Sequence, residues 1–300
     1  MSGRLLPVPA GLALVAAACL YSPPDQLPSS VRLLYSKLDV DSLGESTNIW
    51  FVVARKDNEL RLTGDEGEDT QPFFAPGLRR VFFTRRPPAG RDEIWSMDLD
   101  GNDERRVVRM EGADVRDPAV SPDDRHLACT VIRDGRSQVM ISDVDGTNPR
   151  PLMVGGGSSS QPSWSPDGRT LAIVREEGER RRIFLIDVSG GVPRPLAQAD
   201  AENQREPDWS PDGTRIAFTR GAGNGAEIAI ATVTTGAVTR LTDNSVEDRA
   251  PAWSTTGERI AFVSRRPEGK ENLWLMDPDG ENMTDLTDYE DDEARDPDWL

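Results

Sequence analysis

The chain has 300 residues, with 35 Lys plus Arg against 52 Asp plus Glu, so its formal net charge is −17. This excess of acid argues against a surface built for the phosphate backbone of nucleic acids. The single histidine, His126, excludes chemistry that needs a histidine cluster, as many metal sites do.

The first 19 residues have the order of an export signal. Arg4 precedes an apolar run that ends at Ala18, and Cys19 follows. The run is too short to be a stable membrane anchor. The string also resembles a bacterial lipobox, with Ala16 in place of the usual leucine. We therefore expect an exported protein, in the periplasm or cell envelope, and leave lipidation of Cys19 and plain secretion open; residues 20–30 are expected to be a tether.

One pattern recurs along the chain. It reads QPFFAPGLRRVFF, DPAVSPDDRHLAC, QPSWSPDGRTLAI, EPDWSPDGTRIAF and APAWSTTGERIAF. The prolines of these copies lie 44 to 46 residues apart, at Pro72, Pro118, Pro162, Pro207 and Pro251. A fainter copy starts at Pro24, and the chain ends in DPDWL. The sequence thus contains six full periods and the start of a seventh.

Each period reads as four short strands. The first enters through the proline and ends in a turn such as SPDG, and the second alternates, as in RIAFTR. A third strand, such as IFLID, leads through a hairpin such as DVDGTN to a fourth that ends in LT or PL. Four strands per period of this length are typical of a β-propeller blade.

All seven tryptophans fall in two columns of this alignment. They are Trp164, Trp209, Trp253 and Trp299 in the first strand, and Trp50, Trp95 and Trp274 in the third. Regular columns favour packing between blades over exposed platforms for sugars. By the same alignment Cys129 is a buried apolar position, so we expect no reactive thiol, and His126 is an ordinary surface residue.

The repeated PxWSPDGxxIAF, followed by IxLMDxDG and LT, resembles the WD-repeat-like propeller of the TolB family over about residues 24–300. The resemblance implies an all-β, six-bladed propeller of four-stranded antiparallel blades, and an envelope protein. TolB carries an α/β domain before its propeller, where this chain has the short tether.

The alignment sets the expected blade limits. They are 31–71, 72–117, 118–161, 162–206, 207–250 and 251–296. Blade 1 has a poor inner strand, with Gln26 where other blades place an aromatic residue or valine. We therefore predict that residues 296–300 complete blade 1 and close the ring.

No motif for catalysis or cofactor binding is present. The sequence lacks a GxSxG elbow, a phosphate-binding loop and a CxxC pair, and the DxDG strings lack the remaining ligands of a calcium loop. Turn chemistry alone explains these strings. We expect no cofactor and no metal, although paired carboxylates could still perform acid and base chemistry.

The connections between blades are acidic. Their combined net charge is −15 over residues 64–71, 111–117, 153–161, 197–206, 243–250 and 288–296. In a propeller these segments surround one mouth of the central channel. The predicted partner-binding residues lie there: Arg116, Asp117, Arg205, Glu206, Asp248, Arg249, Arg295 and Asp296. They would either pair with one another or hold a charged segment of a partner.

The leading hypothesis is a monomeric, non-catalytic scaffold that binds a protein or peptide, with a basic segment as the suitable charge. The alternatives are a carbohydrate-active or peptidase-associated propeller subunit and a binder of glycans or small ligands. Acidic loops that serve only solubility remain the simpler interpretation.

Overall fold

The structure is a computed structural model that describes residues 31–41, 44–53, 55–64, 67–153, 157–197, 199–265, 270–287 and 293–300. These residues form six separate sheets, each of four antiparallel strands. The fold is therefore the all-β, six-bladed propeller that the repeat predicts. The predicted signal and tether, with Cys19, lie outside the described residues.

Each blade contains strands that follow one another along the chain, except that β24 joins blade 1. Blade 1 contains β1 (Arg32–Asp41), β2 (Gly44–Val53) and β3 (Arg55–Arg61). Blade 2 contains β4 (Glu68–Ala75), β5 (Arg80–Arg86), β6 (Glu93–Asp98) and β7 (Arg105–Val108). Blade 3 contains β8 (Asp114–Val120), β9 (His126–Arg133), β10 (Arg136–Asp143) and β11 (Arg150–Pro151). Blade 4 contains β12 (Ser159–Trp164), β13 (Thr170–Glu177), β14 (Arg180–Asp187) and β15 (Arg194–Pro195). Blade 5 contains β16 (Gln204–Trp209), β17 (Arg215–Arg220), β18 (Glu227–Thr232) and β19 (Val238–Arg240). Blade 6 contains β20 (Asp248–Trp253), β21 (Ile260–Arg265), β22 (Glu271–Met276) and β23 (Thr284–Asp285), and the chain ends with β24 (Glu293–Trp299).

The C-terminal strand closes the ring. β24 pairs antiparallel with β1, which places Trp299 opposite Leu33 and Ala294 opposite Lys37. Blade 1 thus has the order β24-β1-β2-β3, and its innermost strand comes from the other end of the chain. The prediction that the C-terminus closes the ring is confirmed. Within the described residues, every blade now has an inner strand that contacts the inner strands of both neighbouring blades.

Tryptophans of the first-strand column join neighbouring blades. Trp209, Trp253 and Trp299 are 8%, 5% and 7% exposed and pack in the apolar clusters between blades. The indole Nε1 of Trp299 donates to the carbonyl of Ala252 in the preceding blade at 2.9 Å, and Trp164 bonds Ala119 in the same way. The interpretation of this column as core is confirmed.

The DxDG turns also meet the neighbouring blade. Gly101 and Gly146 adopt φ values of 77° and 83°, which favour glycine. A Cβ at Gly146 would overlap the carbonyl oxygen of Val107 in the preceding blade, and one at Gly101 would overlap that of Leu62. The glycine of this turn is therefore required by both backbone angle and space.

The threonine of the LT motif satisfies a backbone group. The hydroxyl oxygens of Thr63, Thr242 and Thr287 each accept the N–H of a third-strand residue, at 2.9 to 3.0 Å. In blade 3, Val139 donates instead to Ser159 Oγ of the next blade at 3.0 Å. Each such bond removes an unsatisfied buried donor.

The only helix in the described residues is a 3₁₀ turn at Gly223–Gly225. It is not long and apolar enough to cross a bilayer.

Removal of residues 296–300 tests the closure. We expect a large drop in melting temperature, because blade 1 loses its innermost strand, and Trp299→Ala alone should cost about 3–5 kcal/mol of unfolding free energy. Thermal melts followed by circular dichroism would measure both effects. Addition of a peptide of residues 293–300 should restore stability to the truncated chain, whereas an unchanged melting curve after truncation would disprove the closure.

Candidate functional site

The candidate site is the end of the channel at which the inner strands begin, here called the mouth. It is formed by the connections between blades and by the turns that join second to third strands, since both meet this end of the antiparallel blades. At this end the structure describes one small open cleft of about 180 Å³, lined by Glu68, Thr70, Arg86, Asp92 and others.

The four arginines predicted for the mouth pair with carboxylates of the chain itself. Arg116 bonds Asp92 of the preceding blade, and Arg205 lies 3.2 Å from Glu247. The remaining two converge on one acid: Arg249 and Arg295 approach Glu271 at 2.9 and 2.7 Å. Of the two outcomes that the sequence left open, the structure therefore shows internal pairing of these arginines.

Glu271 is the centre of the largest of these groups. It also accepts a bond from Arg265 at 3.0 Å and is 2% exposed. Burial alone would raise its pKa, but the charges of Arg249 and Arg295 hold the pKa of Glu271 below its ordinary value. Because Arg295 belongs to β24 and Glu271 to blade 6, this group fastens the closing strand to blade 6.

The residue before the proline has a special backbone in every blade. Its φ lies between 50° and 54°, the left-handed region, at Gln71, Asp117, Gln161, Glu206, Ala250 and Asp296. In all six blades the pairing with the second strand shifts register here, as in a β-bulge. Proline suits a bulge because it has no N–H to give to the ladder.

The side chains of these pre-proline residues bond one blade to the next. Asp117 N donates to Gln71 Oε1 at 3.1 Å, and Glu206 N donates to Gln161 Oε1 at 3.1 Å. Ala250 N donates to Glu206 Oε2 at 3.0 Å.

Two further links belong to the same series. Gln71 N donates to Asp296 Oδ2 at 3.4 Å, and Gln161 N donates at 3.0 Å to Thr130 Oγ1, a hydroxyl that in turn bonds the Asp117 carboxylate. The sixth link is missing, because the methyl group of Ala250 offers no acceptor to Asp296. We call this series the pre-proline ring.

The second strand supports this ring from behind. The hydroxyls of Ser36, Thr84 and Thr219 donate to the pre-proline side chain of their own blade at 2.6 to 2.8 Å. Burial raises the pKa of Asp117, and the hydrogen bond from Thr130 offsets this only in part. The acids of the ring are thus committed to contacts between blades.

The predicted site residues fall into three groups in the structure: acids of the pre-proline ring, a buried acid, and partly exposed arginines. Asp117, Glu206 and Asp296 occupy alternate positions of the pre-proline ring. Glu206 and Asp296 accept N–H groups of the next blade, and Asp117 accepts from the side-chain amide of Gln71 in the preceding blade. Asp248 is fully buried and accepts from Ser264 at 2.6 Å and Asn244 at 2.7 Å, so its carboxylate does not reach the surface. The arginines stay partly exposed at the mouth.

Two carboxyl groups that the sequence analysis did not single out lie one step deeper. Asp208 Oδ2 accepts the N–H of Trp253, and Asp298 Oδ2 accepts that of Phe74, each at 2.6 Å and each from the next blade. Burial raises the pKa of each group to about 7, and the charge of Asp208 contributes to the shift of Asp298. The signal in the sequence was the Asp of EPDW and DPDW, where other blades place Phe, Ala or Ser.

Cys129 is buried and His126 is partly exposed, as the alignment of the repeats predicts. Burial raises the pKa of the Cys129 thiol to about 12, and the side chain is 3% exposed. His126 lies on the surface, 3.9 Å from Asp123. Within the described residues no three His, Cys, Asp or Glu side chains come together in a way that could hold a metal ion.

The fold and the repeat together define the class of protein to which the chain belongs. The molecule is a six-bladed propeller of WD-repeat-like blades, joined by the pre-proline ring and closed by its C-terminal strand. The model of the TolB beta propeller domain matches residues 23–205 and 105–300, so the chain belongs to that family.

Solved structures share this fold. TolB from Acinetobacter baumannii superposes with a TM-score of 0.79 at 20% identity, over 90% of this chain and 67% of that one. A putative TolB from Agrobacterium tumefaciens gives 0.69 at 20% identity, over 90% and 99%. An oligogalacturonate lyase in complex with manganese gives 0.61 at 16% identity, over 86% and 74%. These identities establish the fold only, and the fold accommodates enzymes as well.

The missing link of the pre-proline ring is testable. Ala250→Gln should raise the free energy of unfolding by about 1 kcal/mol, because it offers Asp296 an acceptor at a position already in the left-handed region. Gln71→Ala should lower it by at least as much, since it strips the partners of Asp117 and Thr84. Urea unfolding measures both, with Gln138→Ala, at an exposed glutamine outside the ring, as the control. A destabilising Ala250→Gln would mean that the ring has no room for a sixth link.

The pKa values of Asp208 and Asp298 predict a pH dependence of stability. Since both are raised in the folded state, the fold binds more protons than the unfolded chain, and stability falls as pH rises from about 4 to about 7. The double variant Asp208→Asn, Asp298→Asn keeps the accepting oxygens without charge, so its stability should be flatter across this range and higher at pH 8. Thermal melts from pH 4 to 8 would show this.

The control for this experiment is Asp212→Asn. A hydrogen bond from Ser210 lowers the pKa of Asp212, so its contribution is lost only as pH falls below about 4. Its profile between pH 4 and 8 should match the wild type. A double Asn variant that keeps the wild-type slope would contradict the assignment.

Proposed function

We propose that this protein is an exported, non-catalytic, monomeric propeller that binds a protein or peptide partner at the mouth. The observation that carries the proposal is the charge of the mouth: the connections there sum to −15, while the arginines among them are already paired with carboxylates. The connections thus carry an excess of acid that suits a basic segment of a partner, while the turns between second and third strands at the same end add positive charge.

Exposed acids on the connections support the proposal. Glu111 and Glu202 are exposed, and neither forms an ion pair with a described residue. They stand on connections anchored at both ends by blade strands, so a partner would meet a largely preorganised surface. The membership of the TolB propeller family is consistent with a scaffold, and the single histidine is consistent with an absence of histidine-based catalysis.

The glycan-binding alternative receives less support from the structure. Stacking on sugars needs an exposed aromatic face, whereas Trp209, Trp253 and Trp299 are buried between blades. The enzyme alternative would need reacting groups at a site, and Asp208 and Asp298 already accept bonds from backbone N–H groups. Export and lipidation of Cys19 rest on the sequence alone.

Photocrosslinking tests the docking face. A benzophenone amino acid would replace Glu111 or Glu202 at the mouth, and Asp100 or Glu281, which are exposed acids at the opposite end, as matched controls. In intact cells we expect a discrete adduct from the mouth positions only. Its yield should fall as NaCl is raised from about 0.05 to 0.5 M in washed envelopes, since screening weakens attraction between exposed charges. Equal adducts from both ends, or a yield independent of salt, would overturn the proposal.

A further inference from the structure

Four blades carry a basic residue at the same place in the second strand. The position lies near the mouth, two residues after the buried core residue of that strand, and is occupied by Lys37, Arg85, Arg175 and Arg220. These four blades can be compared with one another, because the same backbone position holds a basic residue with different charged neighbours in each.

In three of these blades a carboxylate of the chain neutralises the basic residue. Lys37 lies 3.3 Å from Glu59, and Arg220 lies 2.9 Å from Asp200. The Nε and Nη2 of Arg85 each donate to one oxygen of Asp69, both at 2.7 Å, in the bidentate geometry that guanidinium and carboxylate favour.

Arg175 has no such partner. Within the described residues no carboxylate forms an ion pair with it, and its Nε is enclosed without an acceptor. The guanidinium lies over the ring of Phe184, 5.0 Å from its centroid, as Arg85 lies over Trp95 at 4.9 Å. The arginine is therefore positioned as in blade 2, but without the acid.

The residues opposite this arginine are acidic in blade 2, whereas in blade 4 one is neutral and the other is basic. Arg85 stands opposite Asp69 in the first strand and Glu93 in the third. Arg175 stands opposite Ser159 and Arg182. Like charges opposite one another destabilise a strand pair, so blade 4 holds two cations together at a cost.

Arg182 is held in place by its surroundings. Its Nη2 donates to the carbonyls of Asp200 at 3.1 Å and Ala197 at 3.4 Å, and its Nη1 lies 3.5 Å from Glu177. The adjacent acid Glu176 approaches Arg181, at 3.9 Å. The acids of this turn thus face other arginines, and Arg175 remains uncompensated.

The connection that enters blade 4 supplies no acid either. Residues 153–161 carry no charge, whereas each of the other five connections is acidic. Blade 4 also has Ser160 where four other blades place their mouth arginine. The acidic mouth therefore has one sector whose connection carries no negative charge and in which a guanidinium has no carboxylate partner among the described residues.

We propose that Arg175, with Arg182 beside it, forms a binding site for a carboxylate of the partner's chain. The commitment to a carboxylate follows from blades 1, 2 and 5, where the equivalent basic residue binds one supplied by the protein itself. This inference rests on the proposed docking at the mouth and adds to it: the partner presents an acidic side chain to blade 4 as well as basic charge to the acidic connections.

Nuclear magnetic resonance of arginine side chains tests the site directly. The Nε–Hε signal of Arg175, assigned by its loss in Arg175→Gln, should be visible near neutral pH because that nitrogen is enclosed. Titration with an acetylated and amidated tetraglutamate peptide, at constant ionic strength, should shift this signal to saturation. The Arg220 signal should stay within error, since Asp200 already occupies that guanidinium.

Two variants sharpen the test. Ser159→Asp places a carboxylate opposite Arg175, as Asp69 stands opposite Arg85. We expect its Arg175 signal to be displaced before any peptide is added and its response to the peptide to fall at least tenfold. Arg180→Gln removes an exposed arginine of the same turn and should change the peptide affinity less than twofold.

The outcomes separate this site from the proposed function. A signal that does not move, or that moves as much in Ser159→Asp, overturns the carboxylate site, and equal shifts from inorganic phosphate would show a general anion site instead. Mouth crosslinks that persist in Arg175→Gln leave the docking function intact. A saturable tetraglutamate shift without mouth crosslinks would retain the site and reject the docking.

Discussion

Closure of the ring is the constraint on which the rest of this structure depends. Six sheets around an axis have no common core, so each blade is stabilised by its two neighbours. β24 provides the inner strand of blade 1, tryptophan Nε1 groups reach carbonyls of the preceding blade, and the pre-proline side chains accept backbone donors of the next. These contacts run around the axis, at right angles to the strand pairing within blades.

The repeat made most of the fold predictable. The spacing of the prolines predicted the number and limits of the blades, and the tryptophan columns predicted the packing between blades. The weak first copy of the repeat, together with DPDWL at the end of the chain, predicted that the C-terminal strand closes the ring. The same repeat concealed the pre-proline ring, because Gln71, Asp117 and Ala250 look unrelated in the alignment. What they share is a left-handed backbone, and no residue type marks that conformation when the residue is not glycine.

The sequence predicted at which end of the channel the candidate residues lie, but not which residues they contact. Charge counting identified the mouth, and the pairing of Arg249 with Arg295 through Glu271 could not be read from residues in three different strands. Asp248 followed the acidic pattern of the connections but is buried, since a strand begins at that residue. Nothing in the sequence distinguishes Arg175 from the other arginines. Only the comparison with Arg85 in the structure shows that Ser159 stands opposite Arg175, where blade 2 has Asp69.

The gap at Ala250 gives the ring a seam. A closed series of six bonds has no preferred place to open, whereas a series of five has two ends, and both lie at the junction of blades 6 and 1. Near this seam Arg295 of β24 pairs with Glu271 of blade 6, as Arg116 pairs with Asp92 between blades 3 and 2, so an ion pair still joins the blades where the pre-proline link is absent. The pairing of β24 with β1, which lies next to this seam, is the noncovalent closure at which the circle would come apart into a ribbon.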